Sequence, residues 1–120
     1  MVGIKTLNMG GCTGITDAGL AHLAGIHTLD MWECTGGITG TGFAHLSGIH
    51  TLVISGCPGI TDAGLAHLAG TGIHTLSMDY NDGITGASLA HLTGIRKLGM
   101  YGCDPAANAT ARALGLPAFW

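Results

Sequence analysis

An internal repeat is the feature that most constrains the fold. The segment ITDAGLAHLAGI occupies residues 15–26 and returns almost unchanged from Ile60. Altered copies begin at Ile38 and Ile84, and a second phrase, IHTL or a close relative, recurs between the copies. Aligned on this second phrase, the chain divides into five units that begin at residues 4, 26, 49, 73 and 95. Units of 22 to 24 residues predict a solenoid in which each unit packs against its neighbours.

Each unit changes its apolar spacing part-way along. In the first unit, Leu7 and Met9 alternate with polar residues, which predicts a short strand with one buried face. Leu20 and Leu23 follow at a spacing that places both on one face of a short helix. Strand, turn, helix and turn in every unit predict an α/β fold with parallel strands, helices on the other side and right-handed connections.

The helix starts differ between units. Asp17 and Asp62 stand before the helices of units one and three and are predicted to be their N-caps. Gly40 and Gly86 hold the same position in units two and four. We therefore expect the helices of units two and four to be frayed or 3₁₀-like.

The repeated residues resemble the leucine-rich repeat family and, within it, the cysteine-containing subtype, whose pattern is LxxLxLxxC/N followed by xxITDxGLxxLA. The first unit carries this pattern at Ile4, Leu7, Met9, Cys12, Ile15, Thr16, Asp17, Gly19, Leu20 and Leu23. The resemblance covers residues 4 to about 103. It implies a curved, right-handed solenoid with a parallel sheet on its concave face and short helices on its convex face. It also implies a protein-interaction module, because such proteins usually bind protein partners on the concave face.

The sequence predicts different structures at the two ends of the array. We expect residues 1–103 to form the repeat array and residues 104–120 to form a C-terminal cap with a capping helix over residues 106–114, which is rich in alanine. Leu116, Phe119 and Trp120 would add apolar cover to the last unit. A comparable cap is not visible before Ile4. The N-terminal end is therefore expected either to self-associate with another copy or to continue a longer array.

Three strand positions vary between units while the scaffold stays constant. Equivalent positions in successive units are called a column below. The first column is Asn8, Asp30, Val53, Ser77 and Gly99; the second is Gly10, Trp32, Ser55, Asp79 and Tyr101; the third is Gly11, Glu33, Gly56, Tyr80 and Gly102. Alternation along a strand directs the first two columns to the concave face and the third to its rim.

These columns hold the candidate partner-binding residues, namely Asn8, Asp30, Trp32, Glu33, Val53, Ser55, Ser77, Asp79, Tyr80 and Tyr101. Three of the four Trp and Tyr residues of the chain fall among them, and such residues anchor interfaces disproportionately. Neutral variation at exposed positions is the alternative. An acidic, aromatic surface suits a basic or aromatic segment of a protein or peptide partner.

Histidine and cysteine also fall in columns. His22, His45, His67 and His91 are expected to be solvated on the convex side. His27, His50 and His74 open consecutive strands, about 4.8 Å apart, and form either a polar ladder or a Zn²⁺ site. Lys5 and Arg96 continue this column, which favours the ladder, and we expect no metal and no cofactor. Cys12, Cys34, Cys57 and Cys103 are expected to be buried, reduced and hydrogen-bonded to loops, which suits the cytoplasm.

Other classes of function are disfavoured. A net charge of -3 with four Lys and Arg residues argues against nucleic-acid binding. No apolar run reaches the roughly 18 residues of a membrane span, and no catalytic motif such as GxSxG or HExxH is present, so we expect no enzyme. Relatives of the cysteine-containing subtype often carry an F-box and recognise ubiquitin-ligase substrates, of which only the recognition part is implied here. The alternative function is a structural or self-assembling array, or an excised or designed repeat fragment.

Overall fold

One parallel sheet runs through the computed structural model of the protein. The structure describes residues 5–11, 14, 16–23, 25–33, 38–46, 48–57, 59–69, 71–81, 84, 87–92, 94–100, 105–115 and 118–119. Within these residues the sheet has six strands that follow one another in chain order. They are β1 (Thr6–Asn8), β2 (Thr28–Asp30), β3 (Thr51–Val53), β4 (Thr75–Ser77), β5 (Lys97–Gly99) and β6 (Ala118–Phe119).

The strands of the five units pair without any shift in register. Equivalent leucines lie side by side in one continuous row of Leu7, Leu29, Leu52, Leu76 and Leu98. The register is unshifted even though unit three is longer by Thr71 and Gly72, because these residues form a turn before β4, with the Thr71 hydroxyl donating to the Leu68 carbonyl at 2.7 Å. This row confirms the predicted strands and their parallel order.

The core lies between the sheet and the helices. The row leucines of β2 to β5 are fully buried, and helix residues such as Leu20, Phe43 and Leu65 pack against them. Two helix glycines allow neighbouring units to approach closely: a methyl group on Gly42 would overlap the Asp17 carbonyl, and one on Gly64 would overlap the Thr39 carbonyl. On the helical side, neighbouring units therefore pack in direct backbone contact, which a larger residue at position 42 or 64 would prevent.

The helices of the repeat units are short, as predicted, and most of them are 3₁₀ helices. Asp17–Leu23, Thr41–His45 and Ala87–Leu92 are 3₁₀ helices, whereas the helix of unit three is α-helical over Asp62–Leu65 (α1) and continues as 3₁₀ over Ala66–Leu68. The 3₁₀ character of units two and four was predicted. The helix of unit one is also 3₁₀ throughout, although Asp17 and not a glycine stands at its start.

The prediction that Asp17 and Asp62 are the N-caps of their own helices was wrong. Each is the first residue of its helix, and Thr61 holds the N-cap position of α1. The Asp17 carboxylate instead accepts four hydrogen bonds from unit two, from the N–H and hydroxyl of Thr39 and from the N–H groups of Gly40 and Gly42, at 2.8–3.1 Å. Asp17 thus caps the helix of the following unit.

The tail adds a helix and an unpredicted strand. The helix α2 (Pro105–Ala113) begins and ends one residue before the predicted bounds, and Ala111 is buried with the core. After Gly115, whose φ is +73°, β6 pairs in parallel with β5 and lengthens the sheet. The boundary at residue 104 and the capping role stay predictions. Among the described residues, none of the helices has the length and apolarity needed to span a bilayer.

Candidate functional site

The candidate site lies on the open face of the sheet, meaning the face opposite the helices. Leu29, Leu52 and Leu76 point into the core, so their neighbours on each strand point the other way. Accordingly, Asp30, Val53 and Ser77 of the first column are only partly buried. The predicted orientation of this column therefore agrees with the strand geometry.

Trp32 is the largest side chain presented by the second column. Its side chain is 42% exposed, yet its indole lies across the preceding unit, where a methyl group on Gly10 would overlap the ring. The backbone N–H of Trp32 donates to the Asp30 carboxylate at 3.3 Å. Because Gly10 has no side chain, the Trp32 indole can pack against the backbone of unit one on the open face.

The third column has an unusual backbone. Gly11 and Gly56 have φ of +74° and +69°, and Glu33 and Tyr80 adopt φ of +53° and +62° at the equivalent positions. The hydrogen bonds between units maintain this conformation. The backbone N–H groups of three third-column residues, Gly11, Glu33 and Gly56, each donate to the second-column carbonyl of the next unit at 2.7–2.9 Å. A non-glycine residue in this region costs about 1 kcal/mol.

Trp32, Glu33 and Tyr80 line one shallow groove together with Ser55 and Gly56. This groove, called the aromatic groove below, encloses about 300 Å³ and crosses units two to four. Gly56 leaves room for the Glu33 side chain, whose Cγ lies 3.1 Å from the position a methyl group would take there. The structure thus gathers an indole, a phenol ring and a carboxylate that are far apart in the sequence.

A polar row continues from the groove along the sheet. The hydroxyls of Ser55 and Ser77 lie 3.1 Å apart, and the Ser77 hydroxyl donates to the Asp79 carboxylate at 3.5 Å. The Asp79 carboxylate in turn lies over Gly99. Six of the predicted residues therefore contact a neighbouring unit or line the aromatic groove, namely Trp32, Glu33, Ser55, Ser77, Asp79 and Tyr80.

Three predicted binding residues remain to be described, namely Asn8, Val53 and Tyr101. Asn8 lies on the first strand, where its Oδ1 accepts from the Gly10 N–H at 3.0 Å. Val53 is half-buried in the middle of the open face. Tyr101 lies outside the described residues. The binding role of all ten predicted residues stays a prediction.

His27, His50 and His74 form a stacked column, called the imidazole ladder below. Adjacent ring centroids are 4.6 Å and 4.4 Å apart, with planes within 13° of parallel. Each Nδ1 lies 2.8 Å from the hydroxyl of the following threonine, Thr28, Thr51 or Thr75. Burial, followed by the neighbouring rings of His74 and His27, lowers the pKa of His50.

The geometry of the ladder bears on the alternative of a Zn²⁺ site. Ligands to one zinc ion must converge to about 2.0–2.1 Å from it, whereas face-to-face rings hold their nitrogens in parallel. Among the described residues, no group of three His, Cys, Asp or Glu side chains is placed to hold a metal ion. On the helical side, His22, His45, His67 and His91 are exposed, as expected.

The column of cysteine and asparagine forms bonds between units. The buried Cys57 thiol donates to the Met31 carbonyl of unit two at 3.0 Å. Asn81 makes the equivalent contact in the next unit, because its Nδ2 donates to the Ile54 carbonyl at 2.8 Å. The predicted buried, hydrogen-bonding role is confirmed for Cys57. Cys12, Cys34 and Cys103 lie outside the described residues.

The comparison with protein families matches the same pattern. The family model described as "Leucine Rich repeat" matches residues 4–24, which span β1 and the first helix. The first unit is thus a match to a leucine-rich repeat, and the units that follow carry the same pattern. The chain's solenoid of parallel strands and short helices agrees with that family. No curated protein matched the chain in a separate comparison. The cysteine-containing subtype stays a prediction.

Leucine-rich repeats as a family are generally protein–protein interaction modules and are typically not enzymes. In this chain, the sequence columns identified the residues of the open face but did not predict two of its features. The left-handed backbone of Glu33 and Tyr80 was one, although the glycines at the same position in other units signalled it. The threonine hydroxyls beneath the ladder were the other, and their signal was the repeated His-Thr pair.

The left-handed backbone leads to a stability prediction. Glu33→Gly is expected to raise the free energy of unfolding by about 1 kcal/mol, because glycine adopts positive φ without a Cβ penalty. Glu33→Ala keeps the Cβ and serves as the matched control, for which we expect no gain. Urea denaturation followed by circular dichroism measures both. An equal gain in the two variants would show that the carboxylate, and not the backbone, is the source of the cost.

Proposed function

We propose that this chain binds a Lys- or Arg-bearing segment of a partner protein on its open face, either alone or as the recognition part of a larger protein. The observation that carries the proposal is the left-handed backbone of Glu33 and Tyr80. Strained residues of this kind concentrate at binding sites, where function maintains them against a cost in stability. Glycine fills the same position in units one and three without that cost.

The chemistry of the aromatic groove supports a cationic ligand. The exposed rings of Trp32 and Tyr80 present π faces, and each cation–π contact at an exposed site contributes roughly 0.5–1 kcal/mol. The Glu33 carboxylate lines the same groove and would pair with the positive charge. Asp30 and Asp79 add negative charge along the neighbouring strands, so the electrostatic attraction extends beyond a single side chain.

The proposal is tested with a fluorescently labelled octa-arginine peptide and the full chain at 150 mM salt, about physiological ionic strength. The double variant Trp32→Ala/Tyr80→Ala is expected to weaken binding roughly 5- to 30-fold, the equivalent of two lost cation–π contacts. Fluorescence anisotropy measures the affinity, and Glu33→Gln should weaken it further.

Leu114→Ala is the matched control, because Leu114 is as exposed as Trp32, at 42%, but follows α2 instead of lining the groove. This control should bind the peptide as the unmodified chain does. Affinity that is unchanged in the double variant, or equally reduced in Leu114→Ala, would remove the groove from the proposal.

A second candidate function, self-association at the N-terminal end, has one observation in its favour. Leu7 and Met9 are only partly buried, whereas Leu29 and Met31 at the equivalent positions are fully buried. A second copy stacked on this end would cover them. Sedimentation equilibrium separates the two functions, since a binding module remains a monomer and a self-assembling array forms oligomers as its concentration rises.

A further inference from the structure

Positive and titratable side chains collect at one edge of the open face, where the strands begin. Three of the four Lys and Arg residues of the chain, Lys5, Arg96 and Lys97, lie there, and all three are exposed. The imidazole ladder fills the interval between Lys5 and Arg96. The acidic residues Asp30, Glu33 and Asp79 lie at the other ends of the strands, so the open face is electrostatically divided.

The basic edge is built on a continuous backbone row. The His27 N–H donates to the Lys5 carbonyl at 3.0 Å, and the same bond recurs from His50 to His27, from His74 to His50 and from Arg96 to His74, at 2.8–3.0 Å. The backbone positions of five residues in five units are thereby held at a fixed spacing, and the three imidazoles among them are stacked. A pre-organised row of this kind loses little conformational entropy when it binds an extended ligand.

The threonine contacts determine which imidazole atoms are available. Each Nδ1 is paired with a threonine hydroxyl, so Nε2 is the ring nitrogen left to meet a ligand. Within the described residues, the structure gives the ladder no ion pair with a carboxylate. When the imidazoles are protonated, both nitrogens become donors, and the Nε2–H groups then form a row of charged donors.

We infer that this edge, the imidazole ladder with Lys5 and Arg96 at its ends, is a binding site for an acidic peptide segment whose affinity rises as the pH falls. The site does not depend on the function proposed for the aromatic groove. A partner that carries both an acidic and a basic segment would match the division of charge across the open face.

Protonation of the ladder histidines makes the affinity for the acidic peptide increase as the pH falls. In the free protein, charges on adjacent rings repel one another, and His50 takes up its proton only at lower pH because of burial and of His74 and His27. Lys5, Arg96 and Lys97 add to this repulsion, whereas Asp30, on β2 beyond Thr28, is the nearest acid along the strand. Carboxylates bound along Nε2 favour the protonated rings, so binding takes up protons and strengthens as pH falls through the histidine range.

A nucleic acid would present negative charge as well, but the open face disfavours it. Its phosphates carry charge uniformly along the strand, and Asp30, Glu33 and Asp79 would repel those that extend past the basic edge. The net charge of -3 adds to this repulsion. A peptide places its carboxylates only where its sequence requires them, which favours an acidic peptide as the occupant.

The test uses fluorescein-labelled acetyl-hexaglutamate-amide, with hexaglutamine as the uncharged control, and measures anisotropy at pH 7.5 and pH 5.5. The expected result is binding at least tenfold tighter at pH 5.5. The triple variant His27→Gln/His50→Gln/His74→Gln should lose this pH dependence. The matched triple variant His22→Gln/His45→Gln/His67→Gln, on the helical side, should keep it. Circular dichroism at both pH values confirms that each variant is folded, and His50→Gln alone provides a milder change.

Three outcomes would overturn the inference. The first is a pH dependence that survives in the ladder variants, and the second is its loss in the helical-side variant. The third is tighter binding of an eight-nucleotide oligothymidylate than of hexaglutamate at both pH values, which would assign the edge to nucleic acid. Trp32→Ala/Tyr80→Ala should leave hexaglutamate binding unchanged, so failure at the groove and failure at the ladder are distinguishable.

Discussion

Asn81→Ala is expected to lower the free energy of unfolding by about 3 kcal/mol. The side chain is fully buried, and its amide makes three hydrogen bonds. Its Oδ1 accepts from the Cys57 N–H at 2.8 Å, and its Nδ2 donates to the carbonyls of Ile54 and Met78 at 2.8 Å and 3.1 Å. Loss of a partner for a buried backbone group costs about 1–3 kcal/mol, and the truncation adds a small cavity.

Asn81→Cys is the informative control, because the chain itself places cysteine at this position in unit three. The Cys57 thiol donates to the carbonyl of the preceding unit, so a cysteine at residue 81 should recover one of the three bonds. We expect it to lose about half as much stability as the alanine variant. Urea denaturation measures both, and equal losses would mean that volume, not hydrogen bonding, decides the stability at this position.

Asp17→Ala is expected to lower the free energy of unfolding by about 2 kcal/mol, near the upper end for a lost helix cap. The carboxylate accepts four hydrogen bonds across the boundary between units one and two. Because Asp17 is only partly buried, water screens part of its charge and limits the effect. Asp30→Asn is the matched control on the open face, where the carboxylate has one long contact at 3.3 Å, and should change stability by less than about 0.5 kcal/mol.

The contribution of Asp17 should also depend on pH. Burial raises the pKa of its carboxyl group, but hydrogen bonds from Thr39, Gly42 and Gly40 outweigh burial and lower the pKa below its ordinary value. A carboxylate with a lowered pKa stabilises the fold above the unfolded pKa of about 3.9, and this contribution disappears as the pH falls through the folded pKa. The difference between the unmodified chain and Asp17→Ala should be constant from pH 7 to pH 5 and shrink below pH 4. A difference that persisted at pH 2 would show that charge is not its origin.

The strands and their register could be predicted because the same alternation occurs in every unit. Leu7 and its equivalents would have been weak evidence in a single copy, but five copies spaced 22 to 24 residues apart indicate that the same strand recurs in every unit and pairs with its equivalents. The role of Asp17 could not be predicted in this way. Capping rules refer to a residue and its own helix, whereas Asp17 meets Thr39 and Gly40 only once units one and two are packed. The two-residue strand β6 is too short for its alternation to be recognised.

The candidate site was predictable in its location and not in its conformation. Comparison of the units showed which positions vary, and strand alternation assigned Trp32 and Asp30 to the open face. The groove itself depends on tertiary structure, namely the space that Gly10 leaves for the Trp32 indole and the positive φ of Glu33 and Tyr80. No residue pattern within one unit encodes the distance between side chains of different units.

The unshifted register makes the number of units a measure of distance on this protein. Trp32 belongs to unit two and Tyr80 to unit four, so their separation is fixed by the single unit between them. Each additional unit would move the two rings apart by one strand spacing, about 4.8 Å, and would add one rung to the histidine row. Gain or loss of whole units during evolution would therefore alter the length of ligand that fits, in discrete steps, while the chemistry at either end stayed the same.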